Sequence, residues 1–153
     1  MIKIIMHGCS GKMGQVVRSI VKEDTGCEIV AGIDPSGGDL EFPVFKTISE
    51  CNADADVIID FSAVAAIPAL LEYSAIKNIP AVLCTTGFSD ELNELVQEAS
   101  KKVALLKSAN MSIGVNLIFL LVQKAALALQ DSGFDIEIIE KHHNQKVDAP
   151  SGT

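Results

Sequence analysis

The sequence predicts an α/β protein built on a doubly wound parallel sheet, with a different, α+β segment beginning near its end. Three observations carry this expectation. Apolar runs of strand length recur along the 153 residues, at 2–6, 28–33, 55–61, 80–84 and 103–107, and most lead into segments with helical spacing. Most of these runs are continuous or nearly so, as in strands buried on both faces. The first run opens directly onto a loop with glycines three apart, Gly8, Gly11 and Gly14, and apolar periodicity resumes at Met13, Val16, Val17 and Ile20. Such a loop lets the backbone approach a ligand closely and places a helix N-terminus, with its free N–H groups, just behind it.

Composition narrows the class. With 48% apolar residues, 153 residues suffice for one full core and the start of a second domain. A net charge of -8 argues against unspecific binding to nucleic acid or to an anionic membrane, so an anionic ligand has to meet locally placed cations. The four cysteines, Cys9, Cys27, Cys51 and Cys84, form no C-x-x-C pair, which suits reduced thiols, a cytoplasmic location and no metal site. One Lys and five apolar residues before Gly8 are too few for a signal-peptide core with its cleavage site. The longest apolar run, 113–129, is interrupted by Asn116, Gln123 and Lys124, which favours a buried helix over a membrane span.

Taken in order, the glycine loop leads into a helix reaching roughly residue 22, and a second strand at 28–33 ends at Asp34-Pro35. Residues 37–39 read as loop, and 42–47 has room for a short strand. The run 55–61, broken by Asp56 and Asp60, precedes an alanine-rich helical segment at 63–77. The strand at 80–84 enters Thr85-Thr86-Gly87 and a helix starting at Ser89, whose first turn carries Asp90 and Glu91, where carboxylates complement the dipole. After 103–107, Ser108 to Ser112 lead into the long apolar helix. From Phe134 the pattern alternates through Asp135, Ile136, Glu137 and Ile138, as in a strand with one solvated face. The expected domains are therefore 1–131, dinucleotide-binding, and 132–153, the beginning of a substrate-binding domain.

In parallel α/β sheets ligands bind outside the carboxyl ends of the strands. Those ends hold residues 8–14, Asp34, Asp60-Phe61-Ser62, Cys84-Thr85-Thr86-Gly87 and Ser108 to Met111. Asp34 lies 20 residues beyond Gly14, where a Rossmann-like fold places the carboxylate for the adenosine ribose. The loop departs from G-x-G-x-x-G, because Cys9 stands where that pattern's first glycine would fall, and an ordinary strand-to-helix turn is the plainer alternative. A P-loop fits worse, since Met13 follows Gly11-Lys12. Thr85-Thr86-Gly87 and the stretch 108–112 also read as helix-entry loops, and their common place at strand ends is what favours a ligand. His7, closing an apolar strand, reads as packed or loop-facing. His142 and His143, two of three histidines, cluster with Lys146 in an acidic chain, which suits an acid or anion site. Adjacent histidines on a strand point to opposite faces, so metal binding is not expected.

With Gly8-Cys9-Ser10-Gly11-Lys12-Met13-Gly14 and Glu140-Lys141-His142-His143-Asn144-Gln145-Lys146-Val147-Asp148-Ala149-Pro150-Ser151-Gly152-Thr153 in view, the chain resembles the 4-hydroxy-tetrahydrodipicolinate reductases, or dihydrodipicolinate reductases, of lysine and diaminopimelate biosynthesis. Thr85-Thr86-Gly87 and the run from Asn110 to Asn116 are also similar to the family, although Cys84 stands where a glycine is common. The resemblance implies an NAD(P)H-dependent oxidoreductase acting on a cyclic dicarboxylate imine, as a homo-oligomer, a tetramer in the family. It implies cofactor contacts from Gly8, Cys9, Ser10, Gly11, Lys12, Met13, Asp34, Cys84, Thr85, Thr86, Ser108, Ala109, Asn110 and Met111. It assigns acid and proton-donor roles to His142 and Lys146, and substrate contacts to His143, Gly152 and Thr153. NADH is expected to be favoured over NADPH, because Pro35 and Ser36, rather than an Arg, follow Asp34, leaving Lys12 as the nearby cation. Family members continue past residue 153, so the chain is expected to be truncated within the substrate domain, its own activity doubtful. Outside the resemblance, an inactive nucleotide-binding fragment or an NADH-sensing module also suits the strand-end loops.

Overall fold

The computed structural model describes residues 1–142 and 144. His143, Lys146, Gly152 and Thr153 lie outside the described residues. The chain divides into two compact units, Met1–Ser108 and Ala109–Thr153. This division falls before the long helix, whereas the sequence reading groups that helix with the first domain and places the boundary at 131.

The first unit is a six-stranded parallel sheet. Its strands are β1 (Ile2–His7), β2 (Cys27–Ile33), β3 (Val44–Phe45), β4 (Val57–Asp60), β5 (Ala81–Leu83) and β6 (Leu105–Lys107). They run in the order β3-β2-β1-β4-β5-β6, all neighbours parallel. The order reverses direction between β1 and β4, which opens the crevice where such sheets bind dinucleotides. Right-handed crossovers then decide where the helices go. The connection from β1 to β2, through α1 (Lys12–Glu23), runs one way along the sheet. Those from β4 to β5 and from β5 to β6, through α2 (Ile67–Lys77) and α3 (Asp90–Ser100), run the other way, so α2 and α3 share the face opposite α1.

The core lies under α2 and α3. Ile5, Ala31, Ile33, Ile58 and Leu83 of the strands pack with Ile67, Leu70, Leu71 and Leu92 of the helices. Tyr73 donates its hydroxyl to the Cys51 carbonyl at 3.1 Å, and Ser74 donates to the Ile79 carbonyl at 2.6 Å, so neither buried hydroxyl is left without a partner. Pro68 falls in the first turn of α2, where its missing N–H costs no helical bond. Asn78, at φ 53°, ends that helix in the left-handed conformation that Asn tolerates. Ser89 caps α3 by accepting from the Leu92 amide at 3.3 Å, with Asp90 and Glu91 in the first turn as expected. On the other face Ile4 and Met6 are buried, while the apolar residues whose spacing marks α1 stay largely open: Met13, Val16 and Ile20 are 46%, 48% and 60% exposed. Only Gly14 of that helix is buried, and Val17 and Val21 are half-buried.

One charged group lies at the centre of the strand ends. Asp60, the last residue of β4, is 0% exposed. Its Oδ1 accepts from His7 Nδ1 at 2.9 Å and from the Ser62 amide and hydroxyl at 3.2 and 2.5 Å, and its Oδ2 accepts from the Thr85 hydroxyl at 2.7 Å. Burial pushes the carboxyl's pKa up, but the bonds from His7, Ser62 and Thr85 outweigh it and hold the pKa below the ordinary carboxylate value. An ionised Asp60 only accepts, so Nδ1 is the protonated ring nitrogen of His7.

In the second unit, α4 (Ile113–Leu129) is capped by Ser112, whose hydroxyl accepts from the Val115 amide at 3.4 Å. Its side chains are apolar apart from Asn116, Gln123 and Lys124, and Leu117, Ile118, Leu120 and Leu121 are each more than half exposed. The alternating stretch from Phe134 is not a strand in this structure. A single extended segment finds no neighbouring strand among the described residues, so no ladder forms. No helix among the described residues is long and apolar enough to cross a membrane.

Two outcomes follow for stability. Leu70→Ala, at a fully buried position, should lower unfolding free energy by about 2–5 kcal/mol in urea titration, whereas Ile76→Ala, on the same helix but 73% exposed, should change it by under about 0.5 kcal/mol. Because the folded pKa of Asp60 lies below its unfolded value of about 3.9, its contribution is complete above that pH and is lost as pH falls through the folded pKa. Urea midpoints measured from pH 7 to pH 3 should therefore fall more steeply in the wild type than in Asp60→Asn.

Candidate functional site

The first unit places a cleft of about 490 Å³ at the reversal of strand order, lined by His7, Gly8, Gly11, Asp34, Lys46, Phe61 and Ser62 among others. Its floor is made by β1 and the glycine loop. Gly8 has φ 82°, and a Cβ there would stand 2.5 Å from the Phe61 carbonyl oxygen. A Cβ on Gly14 would collide with the carbonyl oxygens of Gly8 and Cys9. These two glycines thus bring the loop against the β4 end and the helix against the loop. Cys9 turns its side chain inward, fully buried, where a Cβ on Gly32 would meet its sulfur; burial raises the thiol pKa. The amides of Gly8 and Cys9 donate to the Ile33 carbonyl and that of Gly11 to the Gly8 carbonyl, so the donors this loop presents are those of the exposed first residues of α1, Lys12 and Met13.

The N-terminus of α1 has Gly11 as its cap, no side-chain cap bond and no acid in its first turn. Its amide donors and the positive end of its dipole therefore meet no side-chain carboxylate of their own turn, the requirement for an anionic group. Beside it, Asp34 is held at both oxygens: Oδ2 accepts from the Ser10 amide at 3.1 Å, and Oδ1 from the Ser36 amide at 3.0 Å and hydroxyl at 2.5 Å. Burial raises its pKa, but the bonds from Ser36 and Ser10 outweigh this, so the group stays ionised below its ordinary value. Three donors leave one of about four lone-pair positions open, on Oδ2, for a ribose hydroxyl. Ser10 also donates its hydroxyl to the Gly37 carbonyl at 3.2 Å, tying the glycine loop to the turn after β2. The glycine cradle, the bare helix end and the oriented carboxylate fit the pyrophosphate and ribose of a dinucleotide.

Across the switch point, Cys84, Thr85 and Thr86 follow β5. Thr85 is 8% exposed and its hydroxyl is already bound to Asp60, while Thr86 is exposed. Cys84 is half-buried, and burial, with the Asp60 charge, pushes its thiol up to about 11. It is a neutral thiol at physiological pH. Ser108 closes β6 by donating its amide to the Leu83 carbonyl at 3.1 Å.

In the second unit Asn110 and His142 line one cleft of about 500 Å³, together with Val115, Phe119, Ile138 and Glu140. Asn110 accepts at its side chain from the Ser112 amide at 2.9 Å, and its carbonyl accepts from the Asn116 amide group at 2.8 Å. The segment thus folds as a cap for α4, which is the plainer of its two readings, and still brings Asn110 to the cleft. His142 is exposed, with Nε2 at 3.4 Å from a Glu140 oxygen, the long end of hydrogen-bond reach. Ala109 and Met111 are exposed.

His7 is packed, as its place at the end of an apolar strand suggests, but its bond to Asp60, the role of Asp60 as a hub, and Lys46 are not read from the residues. Asp60 carried a legible signal, because an acid inside an apolar run must find partners. Lys46 carried none: it reaches the Asp34 cleft only because β3 ends beside it, the Asp34 amide donating to the Phe45 carbonyl at 2.9 Å.

Comparison with known proteins agrees with this geometry. Residues 2–111 match the family described as dihydrodipicolinate reductase, N-terminus, and residues 114–153 its C-terminus. The curated 4-hydroxy-tetrahydrodipicolinate reductase of Caldanaerobacter subterraneus subsp. tengcongensis is 52% identical over all of this chain, which spans 60% of that relative. The enzyme of that name from Clostridium botulinum is 48% identical with the same coverage. A solved structure, the dipicolinate-bound dihydrodipicolinate reductase of Paenisporosarcina sp. TG-14, superposes with TM-score 0.74 at 30% identity, covering 99% of this chain and 62% of that one. The WlbA dehydrogenase of Bordetella pertussis, at 13% identity, TM-score 0.63 and coverage of 81% and 42%, shares the fold alone. Sheet order, glycine loop and matched residues together establish that this chain belongs to the dihydrodipicolinate reductase family.

Proposed function

We propose that the whole protein, of whose relatives this chain spans 60%, reduces 4-hydroxy-tetrahydrodipicolinate with a nicotinamide dinucleotide, working as a homo-oligomer. The observation that carries the cofactor half is Asp34, ionised and oriented beside an uncapped helix end, with one acceptor position open. The cofactor supplies hydride to the ring. Gly8, Cys9, Ser10, Gly11, Lys12 and Met13 would surround its pyrophosphate, the first-turn amides of α1 donating to it, Asp34 would hold its adenosine ribose, and Cys84, Thr85, Thr86, Ser108, Ala109, Asn110 and Met111 the remainder. The substrate presents two carboxylates, and His143, Gly152 and Thr153 would bind them. His142 and Lys146 would supply the proton and balance the charge, the part of the reaction that hydride delivery leaves to the protein.

The ionised Asp34 repels a 2'-phosphate while accepting ribose hydroxyls, which favours NADH. Lys46, exposed on the same cleft, is a cation that a 2'-phosphate could reach. Fluorescence titration should give a lower Kd for NADH than for NADPH, and Lys46→Ala should weaken NADPH several-fold, leaving NADH nearly unchanged. A clearly tighter NADPH would overturn this preference.

Turnover tests the reaction itself. The whole protein should oxidise NADH when given the cyclic imine, and Lys146→Ala should lower kcat/KM at least about 100-fold, the scale of a lost general acid and its orienting charge. NADH binding without turnover would favour a sensing module instead.

A further inference from the structure

We propose that Asp60 is a positioning residue for the dinucleotide, using His7 and Thr85 to set the spacing between the loops that would hold its two halves. The proposal rests on the dinucleotide reading of the cleft. Its basis is geometric: one buried carboxylate bonds to side chains at the ends of three adjacent strands, β1 through His7, β4 through Ser62 and β5 through Thr85. His7 immediately precedes the glycine loop, and its carbonyl accepts from the Phe61 amide at 2.9 Å. Phe61 is the residue whose carbonyl leaves no room for a side chain on Gly8. Thr85 begins the loop on the far side of the switch point, and the Cys84 amide donates to the Asp60 carbonyl at 3.0 Å. A ligand laid across the crevice therefore meets two loops that a single side chain ties together beyond the sheet's own backbone bonds.

This arrangement changes the role given to Thr85. Its hydroxyl, buried and donated to Asp60 Oδ2 at 2.7 Å, is engaged within the protein, so the side chain serves as a tether while the loop's backbone and Thr86 face the ligand. Removing the tether frees the β5 loop and leaves the adenosine side, built on Asp34 and Ser10, intact. The consequence is selective. Affinity for the complete dinucleotide should fall, and affinity for ADP-ribose, which has no nicotinamide, should not.

The test uses the 153-residue chain with NADH and ADP-ribose as probes, NADH followed by fluorescence and ADP-ribose by calorimetry. Thr85→Val, which keeps the shape and deletes the hydroxyl, should raise the NADH Kd about tenfold and change the ADP-ribose Kd less than about twofold, and Thr85→Ser should restore NADH binding. Asp60→Asn, which also loosens His7 ahead of the glycine loop, should weaken NADH and ADP-ribose alike, so the selective test is carried by Thr85→Val. Equal weakening of both ligands in Thr85→Val would mark Thr85 as merely structural and overturn the proposal. Unchanged NADH affinity in Thr85→Val would overturn it as well, with the dinucleotide reading left standing. A wild-type chain that bound neither probe would overturn that reading and the proposal together.

Discussion

The constraint on which the first unit depends is the burial of the Asp60 carboxylate. Taking an ionised carboxylate out of water is costly unless its lone pairs are filled, and here donors from His7, Ser62 and Thr85 fill them. Each donor belongs to a different strand end or to the turn after β4. The sheet cannot shift register at β1, β4 or β5 without exposing a charge to an apolar interior, so the charge specifies the alignment that the apolar residues beneath it merely permit. Ile5, Ile58 and Leu83 meet other apolar side chains in the core, whereas Asp60 bonds to named partners at the ends of β1 and β5.

From that alignment the ligand-facing geometry follows. With β1 and β4 in register, the Phe61 backbone lies against Gly8, and only a residue without a Cβ, at positive φ, passes there. The loop then delivers Gly14 into contact with the Gly8 and Cys9 carbonyls, which starts α1 at a fixed angle with its amide donors facing away from the sheet. Asp34 is tied in from the other side by the Ser10 amide. Two carboxylates thus bracket the glycine loop. One is buried, with both oxygens bonded within the protein. The other lines the cleft with one acceptor position to spare.

Much of this was legible in the residues, and what was not has a physical cause. Continuous apolar runs announce strands buried on both faces, so β1, β4 and β5 were readable, and Ser89 with Asp90 and Glu91 announced α3. The glycine spacing and Asp34 placed the cleft. The bond between His7 and Asp60, 53 residues apart, was not readable, because nothing local says that β1 and β4 are neighbours. The periodicity at Met13, Val16, Val17 and Ile20 gave α1 correctly but not its burial: it states that a helix has an apolar side, not that this unit covers it. The stretch from Phe134 shows the same limit in strands, since alternation describes a face and a ladder needs a partner. Lys46 enters the cleft through a two-residue strand too short to carry a pattern.

A chain of net charge -8 has to bind an anionic cofactor without a general positive field to attract it. The structure answers with dipoles more than with charges. The first turn of α1 has no acid, and the donors there are backbone amides. Amides do not titrate in the physiological range, and their direction is set by the chain path rather than by a rotamer. The direction of these amides is therefore inherited from the path of β1 into Gly8, hence from the contact of Gly8 with Phe61, and hence from the strand alignment at Asp60. A lysine in place of these amides would be free to adjust to a displaced ligand. A backbone cradle cannot adjust, which is why a buried carboxylate that touches no ligand can govern how well the ligand fits.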